Sequence, residues 1–509
     1  MMEVANWLTL GLLLTLIFLS KFIFSKYENN KNYPPTPPSL PIIGHLHLLK
    51  EPVHRALHDL SAKYGDVLLL RFGICKVLLV SSPAAVEECF TKNDVIFANR
   101  PRWLAGKHLN YNYRTVGTTP YGARWRKIRR LLALEVFSTS RLAMFANIRQ
   151  EEVQLLLKEL FQHSIGKKEA VKANLSSKFV DLSFNVMMRM AAGKRYYGKD
   201  VIDKRASEFR DIIREFAEIH GIMNLNDLLP VLQLIDFQGV EKKMKGVMKK
   251  MDTFLQCLVD EQRKIRSTES ACNNERTMTL IDVLLSLQEI EPEFYTDVNI
   301  KAVVLVLLVA GSESSATTME WTMSLLLNHP ETMKKVVTEI DTYVGFNRLL
   351  DETDLSKLTY LQNVINETFR LYPTFPLLLP HESSDDCSIC GFDVPKGTVL
   401  LVNLWTIHRD PKLWVEPTKF LPERFESEES DGYKLIPFGI GRRACPGAVL
   451  ARKVMVLALG ALIQAFEWGR INNEEINMAQ GNGLTMPKAE PLEAMCKPRQ
   501  ARVGLLSAL

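Results

Sequence analysis

The sequence carries little net charge, no internal repeat and no regular cysteine spacing. A formal charge of +5 at pH 7 over 509 residues is too small to indicate nucleic-acid binding. Eight cysteines scattered over this length do not form a disulfide framework, which favours a reducing compartment. Cys387 and Cys390 have no second Cys or His pair nearby, so a turn between strands is a better interpretation of them than a zinc or redox site. What remains is a chain with 47% hydrophobic residues, long enough for a large buried core.

A long apolar run lies at residues 7–24. As a helix it would span roughly 27 Å, close to the thickness of a bilayer's hydrocarbon core. A cleaved signal peptide is the alternative, but it would carry basic residues before the run, whereas Lys21, Lys26 and Lys31 lie within or after it. We therefore expect a retained single-pass membrane anchor at residues 1–25, with the rest of the chain in the cytosol.

A proline-rich hinge at residues 26–45 precedes one large domain at residues 46–509. The prolines of residues 34–41 cannot continue a helix and favour a stiff extended segment. A proline-rich ligand for a partner's groove is the alternative, but such ligands are not usually followed at once by a folded domain.

Within the large domain the apolar pattern predicts mainly α-helix with small β-sheets, an α+β class. Apolar runs on both sides of Gly73 predict a β-hairpin. Helical periodicity prevails over residues 141–290, with a polar surface loop expected at 267–277. The apolar segment 222–237 is expected to pack in the core, with membrane contact as the alternative.

The segment 438–447 reads Phe-Gly-Ile-Gly-Arg-Arg-Ala-Cys-Pro-Gly, and its cysteine is the best candidate metal ligand in the chain. Cys445 lies at the start of a long apolar helical run, where free N–H groups and the helix dipole favour thiolate over thiol. Arg443 lies within reach of a cofactor's carboxylates, and Phe438 would cover the sulfur side of a flat cofactor. One thiolate framed by glycines is typical of heme iron rather than zinc. A structural cysteine before a core helix is the alternative.

This segment is similar, at every fixed position, to the heme-binding signature Phe-x-x-Gly-x-Arg-x-Cys-x-Gly of the cytochrome P450 family. The resemblance implies the cytochrome P450 fold behind an N-terminal transmembrane anchor helix. It also implies heme b (iron protoporphyrin IX) as the cofactor, with Cys445 as its axial thiolate and metal ligand. Cysteine ligation of heme favours O–O cleavage and hence oxygen insertion. A dinucleotide-binding pattern at residues 439–444 is excluded, because no strand precedes it.

Three further residues are expected at the heme by the same resemblance. Trp125 and Arg129 are four apart, so they share one face of a predicted helix. The family's Trp-x-x-x-Arg pair binds a heme propionate, which implies that role for Trp125 and Arg129. A solvated basic helix is the alternative. His381 is expected to meet a propionate as well, with a satisfied core histidine as the alternative.

Residues 301–328 form one long helical run that is apolar up to residue 310 and then turns polar. An acid and hydroxyls in the middle of a buried helix are costly unless something polar needs them. The polar part resembles the family's oxygen-activation motif, with Ser314 at the position where Thr is usual. This implies proton delivery through Ser314 and Glu313, with more uncoupling because Ser lacks the methyl group that fixes the rotamer. The resemblance implies a substrate pocket lined by Val306, Ala310, Pro376, Leu377, Leu378, Leu484 and Thr485.

Glu367 and Arg370 are three apart on one face of a predicted helix at residues 356–372. The later Pro-Glu-Arg-Phe segment resembles the family's partner motif, which implies that Arg424 closes a buried network with Glu367 and Arg370. That role is structural, and loss of one member would leave a buried charge unpaired.

The resemblance extends over nearly the whole chain, and residues 111–113, 380–384 and 407–411 are most similar to a plant isoflavone 2'-hydroxylase-like subgroup. It implies a heme-thiolate monooxygenase of the endoplasmic reticulum membrane, acting with O2 on a small apolar molecule of isoflavonoid or phenolic type. A terpenoid substrate, a reductase-independent heme isomerase and a non-enzymatic heme protein are the alternatives. Electrons are expected from NADPH through a separate NADPH-cytochrome P450 reductase. Its expected docking residues are Arg126, Lys127, Arg130, Arg442, Arg452 and Lys453.

Overall fold

The computed structural model describes residues 31–167, 169–198, 204–220, 224–272, 278–427, 432–481, 483 and 485–509. The expected anchor at residues 1–25 lies outside them, as does the first part of the expected hinge.

Helices dominate the described chain, as the periodicity predicts. The α-helices are α1 (Val53–Tyr64), α2 (Pro83–Phe90), α3 (Leu104–His108), α4 (Ala123–Glu135), α5 (Thr139–Met144), α6 (Ala146–Ser164), α7 (Leu175–Ala192), α8 (Lys204–His220), α9 (Leu225–Leu228), α10 (Val240–Cys272), α11 (Leu280–Ile290), α12 (Asp297–Asn328), α13 (Pro330–Tyr343), α14 (Thr359–Leu371), α15 (Leu404–Ile407), α16 (Ala448–Ala465) and α17 (Val503–Ser507).

Small sheets complete the α+β architecture. The strands are β1 (Val67–Phe72), β2 (Cys75–Val80), β3 (Val171–Asn174), β4 (His381–Glu382), β5 (Cys387–Ile389), β6 (Phe392–Val394), β7 (Val399–Val402), β8 (Phe466–Gly469) and β9 (Glu493–Pro498). They form sheets in the orders β1-β2-β7-β4, β3-β9-β8 and β5-β6. The predicted hairpin around Gly73 is confirmed as the antiparallel pair β1 and β2, with Leu69 opposite Leu78. The predicted turn at Cys390 is confirmed between β5 and β6.

The helix α12 lies at the centre of the domain, in contact with α7, α10, α14 and α16. Its side chains are buried on most sides, from Ile300 to Leu327, because neighbouring helices cover it all round. By length and apolarity α12 and α16 could each cross a membrane, but 67% and 72% of their apolar windows are buried inside the protein. These helices therefore build the core of the domain and position the residues described below.

The described part of the hinge, residues 31–45, is attached to the sheet edge. The carbonyl of Pro35 accepts a hydrogen bond from the Leu69 N–H at 3.0 Å, and Gly44 pairs with Phe72. The ring of His45 contacts the Pro37 carbonyl at 2.8 Å. These bonds fix the direction in which the chain leaves the domain.

The prediction that the apolar segment 222–237 packs in the core is wrong for its second half. Val231, Leu234 and Ile235 are 75%, 85% and 70% exposed. The buried first half is joined to the first sheet, since the Leu228 carbonyl accepts a hydrogen bond from the Ile74 N–H at 3.0 Å. Ile74 at the β1–β2 turn and Ile42 in the hinge are also exposed. We call these five side chains (Ile42, Ile74, Val231, Leu234 and Ile235) the apolar rim.

The prediction of a polar loop at 267–277 is wrong for its first half, because α10 continues to Cys272. The hydroxyls of Ser267 and Thr268 donate to the Lys264 carbonyl at 2.8 and 3.0 Å, which satisfies them inside a helix. Residues 273–277 lie outside the described residues.

Candidate active site

A cavity of about 270 Å³ lies between α4, α7, α12 and the turn before α16. Its wall is mostly apolar, and one end carries cationic side chains and a thiol. The structure brings many of the expected site residues together here: the wall includes Trp125, Arg129, Val306, Ala310, Ser314, Leu378, His381, Phe438, Arg443 and Cys445.

Cys445 opens onto this cavity from the turn that precedes α16. The turn is closed by a hydrogen bond from the Cys445 N–H to the Phe438 carbonyl at 2.8 Å, which places ring and thiol on the same wall. Burial raises the pKa of the Cys445 thiol above its ordinary value, although the Gly447 N–H and the Arg129 cation act in the opposite direction. The N–H groups at the start of the helix therefore favour the thiolate, as expected, but burial outweighs them. A metal that replaces the thiol proton would supply the missing stabilisation.

Arg443 is held by three backbone carbonyls rather than by an acid. It donates to the carbonyls of Ala98, Val116 and Thr119 at 2.6, 3.0 and 2.7 Å. Its guanidinium lies 4.6 Å from the ring centre of Trp125, whose Nε1 also donates to the Val116 carbonyl, at 3.2 Å. Burial, reinforced by Arg100 and Arg129, lowers the pKa of Arg443 to about 9.

Arg100 is a second buried guanidinium in the cavity wall, and the sequence analysis did not select it. It donates to the carbonyls of Leu379 and Pro380, both at 2.7 Å, while its Nε has no partner among the described residues. Burial lowers the pKa of Arg100 to about 10 and also lowers that of Arg129. No carboxylate of the described chain forms an ion pair with Arg100, Arg129 or Arg443. One buried and two half-buried cations without an acid favour a ligand with negative charges at this end of the cavity.

His381 lines the cavity next to these arginines, but its Nδ1 is already used. The Nδ1 atom lies 2.7 Å from the Phe97 carbonyl. Burial, reinforced by Arg100, lowers the pKa of His381 well below its ordinary value, so the ring is neutral with the proton on Nδ1. Only Nε2 is left for a ligand of the cavity.

At the cavity, α12 presents Ser314 but not Glu313. The Ser314 hydroxyl donates to the Ala310 carbonyl at 2.6 Å. Glu313 points elsewhere, since its Oε1 accepts a hydrogen bond from the Thr485 hydroxyl at 2.8 Å, and neither of these two residues lines the cavity. The expectation that Thr485 lines the pocket is therefore not met by this geometry, and Leu484 lies outside the described residues.

The segment between α14 and β4 contains a turn, which decides which of its residues reach the cavity. Leu378 has φ +52° and its N–H donates to the Phe375 carbonyl at 3.0 Å, so the chain turns there. As a result Phe375, Leu378 and Leu379 line the cavity, whereas Pro376 and Leu377 do not. Leu377 instead packs against the core of the first sheet.

Comparison with known proteins decides the family. The model of the Cytochrome P450 family matches residues 34–492. The chain belongs to the cytochrome P450 family. Cytochrome P450 81Q32 of Catharanthus roseus is 54% identical over 98% of both chains. The isoflavone 2'-hydroxylase of Glycyrrhiza echinata is 49% identical over 98% of both chains, and the (+)-piperitol/(+)-sesamin synthase CYP81Q2 of Sesamum radiatum is 49% identical over 92% of this chain and 90% of its own.

This membership makes the protein a P450 monooxygenase, and the other expected residues can be placed on its fold. Glu367 and Arg370, both on α14, are fully buried. Arg370 binds both carboxylate oxygens of Glu367 at 2.7 Å, and Arg424 binds one of them at 3.1 Å. Further Arg370 donors reach the carbonyls of His408, Pro417 and Lys419, so the network joins α14 to the loops around it.

Two P450 site features had no signal in the sequence. Arg100 reaches the cavity through carbonyls some 280 positions later in the chain, which no local spacing predicts. Ser183 and Met187 of α7 also line the cavity. Gly311 lines the cavity next to Met187, and a Cβ atom there would lie 2.5 Å from the Met187 sulfur.

Proposed function

We propose that this P450 is a heme-thiolate monooxygenase that hydroxylates or oxidatively cyclises a small apolar phenolic compound, with O2 and electrons from NADPH. The observation that carries the proposal is one cavity that combines the Cys445 thiol, three arginines without a paired acid among the described residues and a mostly apolar wall.

The residues present fit heme b. Cys445 would supply the thiolate ligand to the iron, and Phe438, on the same wall, would offer apolar contact to the cofactor. The carboxylates of the cofactor would neutralise Arg100, Arg129 and Arg443, and the unpartnered Nε of Arg100 is a donor available for one of them. The described residues contain no cluster of three or more His, Cys, Asp or Glu side chains suited to a metal ion, so a single-thiolate ligand set is the better fit.

When bound, heme supplies the activation of O2 and the insertion of one of its oxygen atoms. The chain's own residues bind the substrate and handle protons. Val306, Ala310 and Phe375 offer apolar surface that excludes water from the reacting centre. The Ser314 hydroxyl holds a proton at the cavity wall and needs only a χ1 rotation to leave the Ala310 carbonyl and donate into the cavity.

The proposed substrate class is supported by the residues that line the cavity and by the names of similar proteins. The wall beyond the arginines is apolar, which suits an aromatic compound without charge. Two of the relatives are an isoflavone hydroxylase and a synthase of piperitol and sesamin. An isoflavonoid or a related phenolic is therefore our first choice, ahead of a terpenoid.

For the redox partner we propose a membrane-bound NADPH-cytochrome P450 reductase in the endoplasmic reticulum. Of the six expected docking residues, Arg126, Arg130 and Arg442 are exposed, although Arg442 also pairs with Asp94 at 3.0 Å. The others are engaged within the protein: Lys127 pairs with Glu291, Lys453 pairs with Glu352, and Arg452 lies over the rings of Phe369 and Phe438. Raising the ionic strength should raise the apparent KM for the reductase, and an unchanged KM would contradict this docking face.

Substrate-induced difference spectra test the proposal most directly. The purified holoenzyme is titrated with isoflavones, lignans and terpenoids, and compounds that bind are incubated with reductase and NADPH. Binding and oxygenation of a phenolic, with no turnover of the terpenoids, is the expected result. Turnover of terpenoids alone would contradict the proposed substrate class.

A further inference from the structure

Asp94 does not line the active-site cavity, but its carboxylate holds the segment that carries Cys445. We call residues 436–447 the cysteine loop. The Asp94 Oδ1 accepts a hydrogen bond from the Arg442 N–H at 3.0 Å, and its Oδ2 pairs with the Arg442 guanidinium, also at 3.0 Å. Of the described side chains outside the cysteine loop, only that of Asp94 hydrogen-bonds to the loop's backbone. Asp94 therefore fixes the loop from a segment 348 positions earlier in the chain.

The hydrogen bond to Asp94 completes the bonding of one peptide unit in the cysteine loop. The Arg442 N–H and the Gly441 carbonyl belong to the same peptide unit, and that carbonyl accepts a hydrogen bond from the Ala444 N–H at 3.1 Å. Ala444 directly precedes Cys445. Since the donor and the acceptor of the 441–442 peptide are both bonded, its orientation helps to determine how the chain enters Cys445.

The conformation of Gly441 explains why this peptide needs a partner. Gly441 has φ +72°, and glycine changes its backbone conformation more easily than other residues. A reversed 441–442 peptide would point the Gly441 carbonyl at the Asp94 carboxylate, so two acceptors would face each other and the bond from Ala444 would be lost. A Cβ atom at Gly441 would lie 2.4 Å from the Asp94 Oδ1, so only glycine leaves room for this carboxylate.

The segment that carries Asp94 is itself held in place. The neighbouring Asn93 is 8% exposed, and its Nδ2 donates to two backbone carbonyls at 3.3 and 3.2 Å. Ala98, which is 1% exposed, accepts the hydrogen bond from Arg443 at 2.6 Å. Residues 93–98 thus bind two consecutive residues of the cysteine loop, Arg442 and Arg443, from a rigid support.

We propose that Asp94 is a positioning residue for the iron ligand: it fixes the 441–442 peptide and so keeps the Cys445 sulfur where it binds heme iron as a thiolate. The inference rests on the proposed heme-thiolate function. The backbone hydrogen bond carries the role rather than the ion pair, because the Arg442 side chain is 48% exposed and water can replace its carboxylate partner.

The Soret band of the reduced, carbon-monoxide-treated holoprotein tests the proposal, because its position shows whether a thiolate is bound to the iron. On mild warming, Asp94→Ala should lose the thiolate band about threefold or more faster than the wild type. Asp94→Asn, which keeps an acceptor for the Arg442 N–H, should restore a rate close to that of the wild type. Arg442→Ala, which loses the guanidinium but keeps the N–H, should also stay close to the wild-type rate.

Asp386→Ala is the matched control. Asp386 makes the same two kinds of contact away from the cysteine loop, since its Oδ1 accepts a hydrogen bond from the Lys396 N–H at 2.8 Å and its Oδ2 pairs with Lys31 at 3.1 Å. An Asp94→Ala variant that loses the band no faster than Asp386→Ala would overturn the positioning role. Loss in Arg442→Ala or Asp94→Asn as fast as in Asp94→Ala would overturn it too, because the ion pair would then be the cause.

These outcomes are separate from those of the proposed function. The rate is measured only on protein that has bound heme, so a low yield of one variant does not change it. If the wild type shows the thiolate band but oxygenates no phenolic, the proposed substrate class fails and the role of Asp94 stands. A wild type without the thiolate band would overturn both proposals.

Discussion

Arg100, Arg129 and Arg443 place three guanidinium groups in one apolar wall without an acid beside them. Carbonyl oxygens satisfy many of their donors, but carbonyls do not neutralise charge. A cofactor with two carboxylates would accept hydrogen bonds from these arginines and also neutralise their charge. The free energy of binding such a cofactor would stabilise the folded state as well. Cofactor retention and folding stability should therefore change together when these residues are replaced.

Arg100→Ala should weaken heme retention about tenfold or more, because a hydrogen bond to a charged group contributes roughly 1.5–3 kcal/mol. Arg100→Lys, which keeps the charge but loses the planar fork, should fall between Ala and wild type. The measurement is the rate at which heme transfers to an excess of a scavenging protein.

Arg102→Ala is the matched control for this prediction. Arg102 is exposed and its guanidinium lies 4.9 Å from the Tyr113 ring centre, away from the cavity wall. Equal transfer rates for the Arg100 and Arg102 variants would show that Arg100 does not hold the cofactor.

Ser314 should limit coupling because its side chain lacks the methyl group that restricts the Thr rotamer. Ser314→Thr should raise product per NADPH, and Ser314→Ala should lower it about twofold or more, with the lost electrons recovered as hydrogen peroxide. Ser324→Ala is the control, since that buried hydroxyl donates to the Glu320 carbonyl away from the cavity. Unchanged peroxide in Ser314→Ala would contradict a proton-handling role.

The positions of some of these residues could be predicted from the sequence because a single local segment determines them. Cys445 and Phe438 lie in a single turn, and Trp125 and Arg129 lie on one helical face. Pro376, Leu377 and Thr485 do not line the described cavity, because the direction of a side chain in a loop depends on backbone angles such as φ +52° at Leu378. Arg100 was missed because its partners, Leu379 and Pro380, lie some 280 positions later in the chain.

At the scale of elements, the Glu367–Arg370 pair on α14 can be compared with a pair of the same spacing on α8. Glu367 and Arg370 are 0% exposed, whereas Asp211 and Arg214 are 68% and 71% exposed. Glu367→Ala leaves Arg370 buried and unpaired, so it should cost roughly 3–5 kcal/mol and reduce the yield of holoenzyme. Asp211→Ala should cost less than about 0.5 kcal/mol. Chemical denaturation of both variants checks the contrast, and similar costs would contradict the network's structural role.

A pH dependence is expected where α9 meets α3. Burial raises the pKa of Asp227 to about 6, although its Oδ1 accepts a hydrogen bond from the Leu104 N–H. The folded state therefore binds more protons than the unfolded chain, so the stability from this group is present below about pH 4 and is lost as the pH rises through 6. Asp227→Asn keeps the acceptor and should melt higher than the wild type at pH 7.5 and by a clearly smaller margin at pH 4.5.

Asp297 serves as a comparison, because its pKa is shifted in the opposite direction to that of Asp227. Hydrogen bonds from Arg263, and then from Gln288 and Gln256, hold the pKa of Asp297 well below its ordinary value. Its contribution to stability is thus present at neutral pH, and Asp297→Asn should melt lower than the wild type at pH 7.5. If both variants shift in the same direction at pH 7.5, burial does not control Asp227.

The sequence predicted whether a segment is helix or strand more reliably than it predicted where the segment ends or how exposed its side chains are. The periodicity of α6, α7 and α12 predicted those helices, because each packs an apolar surface over several turns. The end of α10 was placed too early, since serine and threonine hydroxyls can bond back inside a helix as well as favour a loop. Residues 231–235 were assigned to the core because apolar character does not distinguish a core from an exposed apolar surface.

Over the whole molecule, the apolar rim combines three segments that are far apart in sequence. Backbone hydrogen bonds join the hinge to the β1–β2 turn, from the Gly73 N–H to the Ile43 carbonyl at 3.1 Å, and join that turn to α9 through Leu228. Large apolar side chains that are this strongly exposed are unfavourable in water. They are typical of a surface that contacts lipid. Because the hinge follows the expected anchor directly, a membrane that holds the anchor would lie close to this rim.

The rim should therefore bind membrane even without the anchor. Protein that lacks residues 1–30 should sediment with lipid vesicles, and Leu234→Asp should reduce the bound fraction about tenfold, since burying one Leu contributes roughly 1.5–3 kcal/mol. Val415→Asp is the matched control, because Val415 is 79% exposed and lies outside the rim, near Arg424. Equal binding of the two variants would contradict a membrane role for the rim. Because membrane contact here constrains how the domain can turn, the full-length Leu234→Asp variant should also show a higher KM for substrates that partition into lipid, while its kcat stays unchanged.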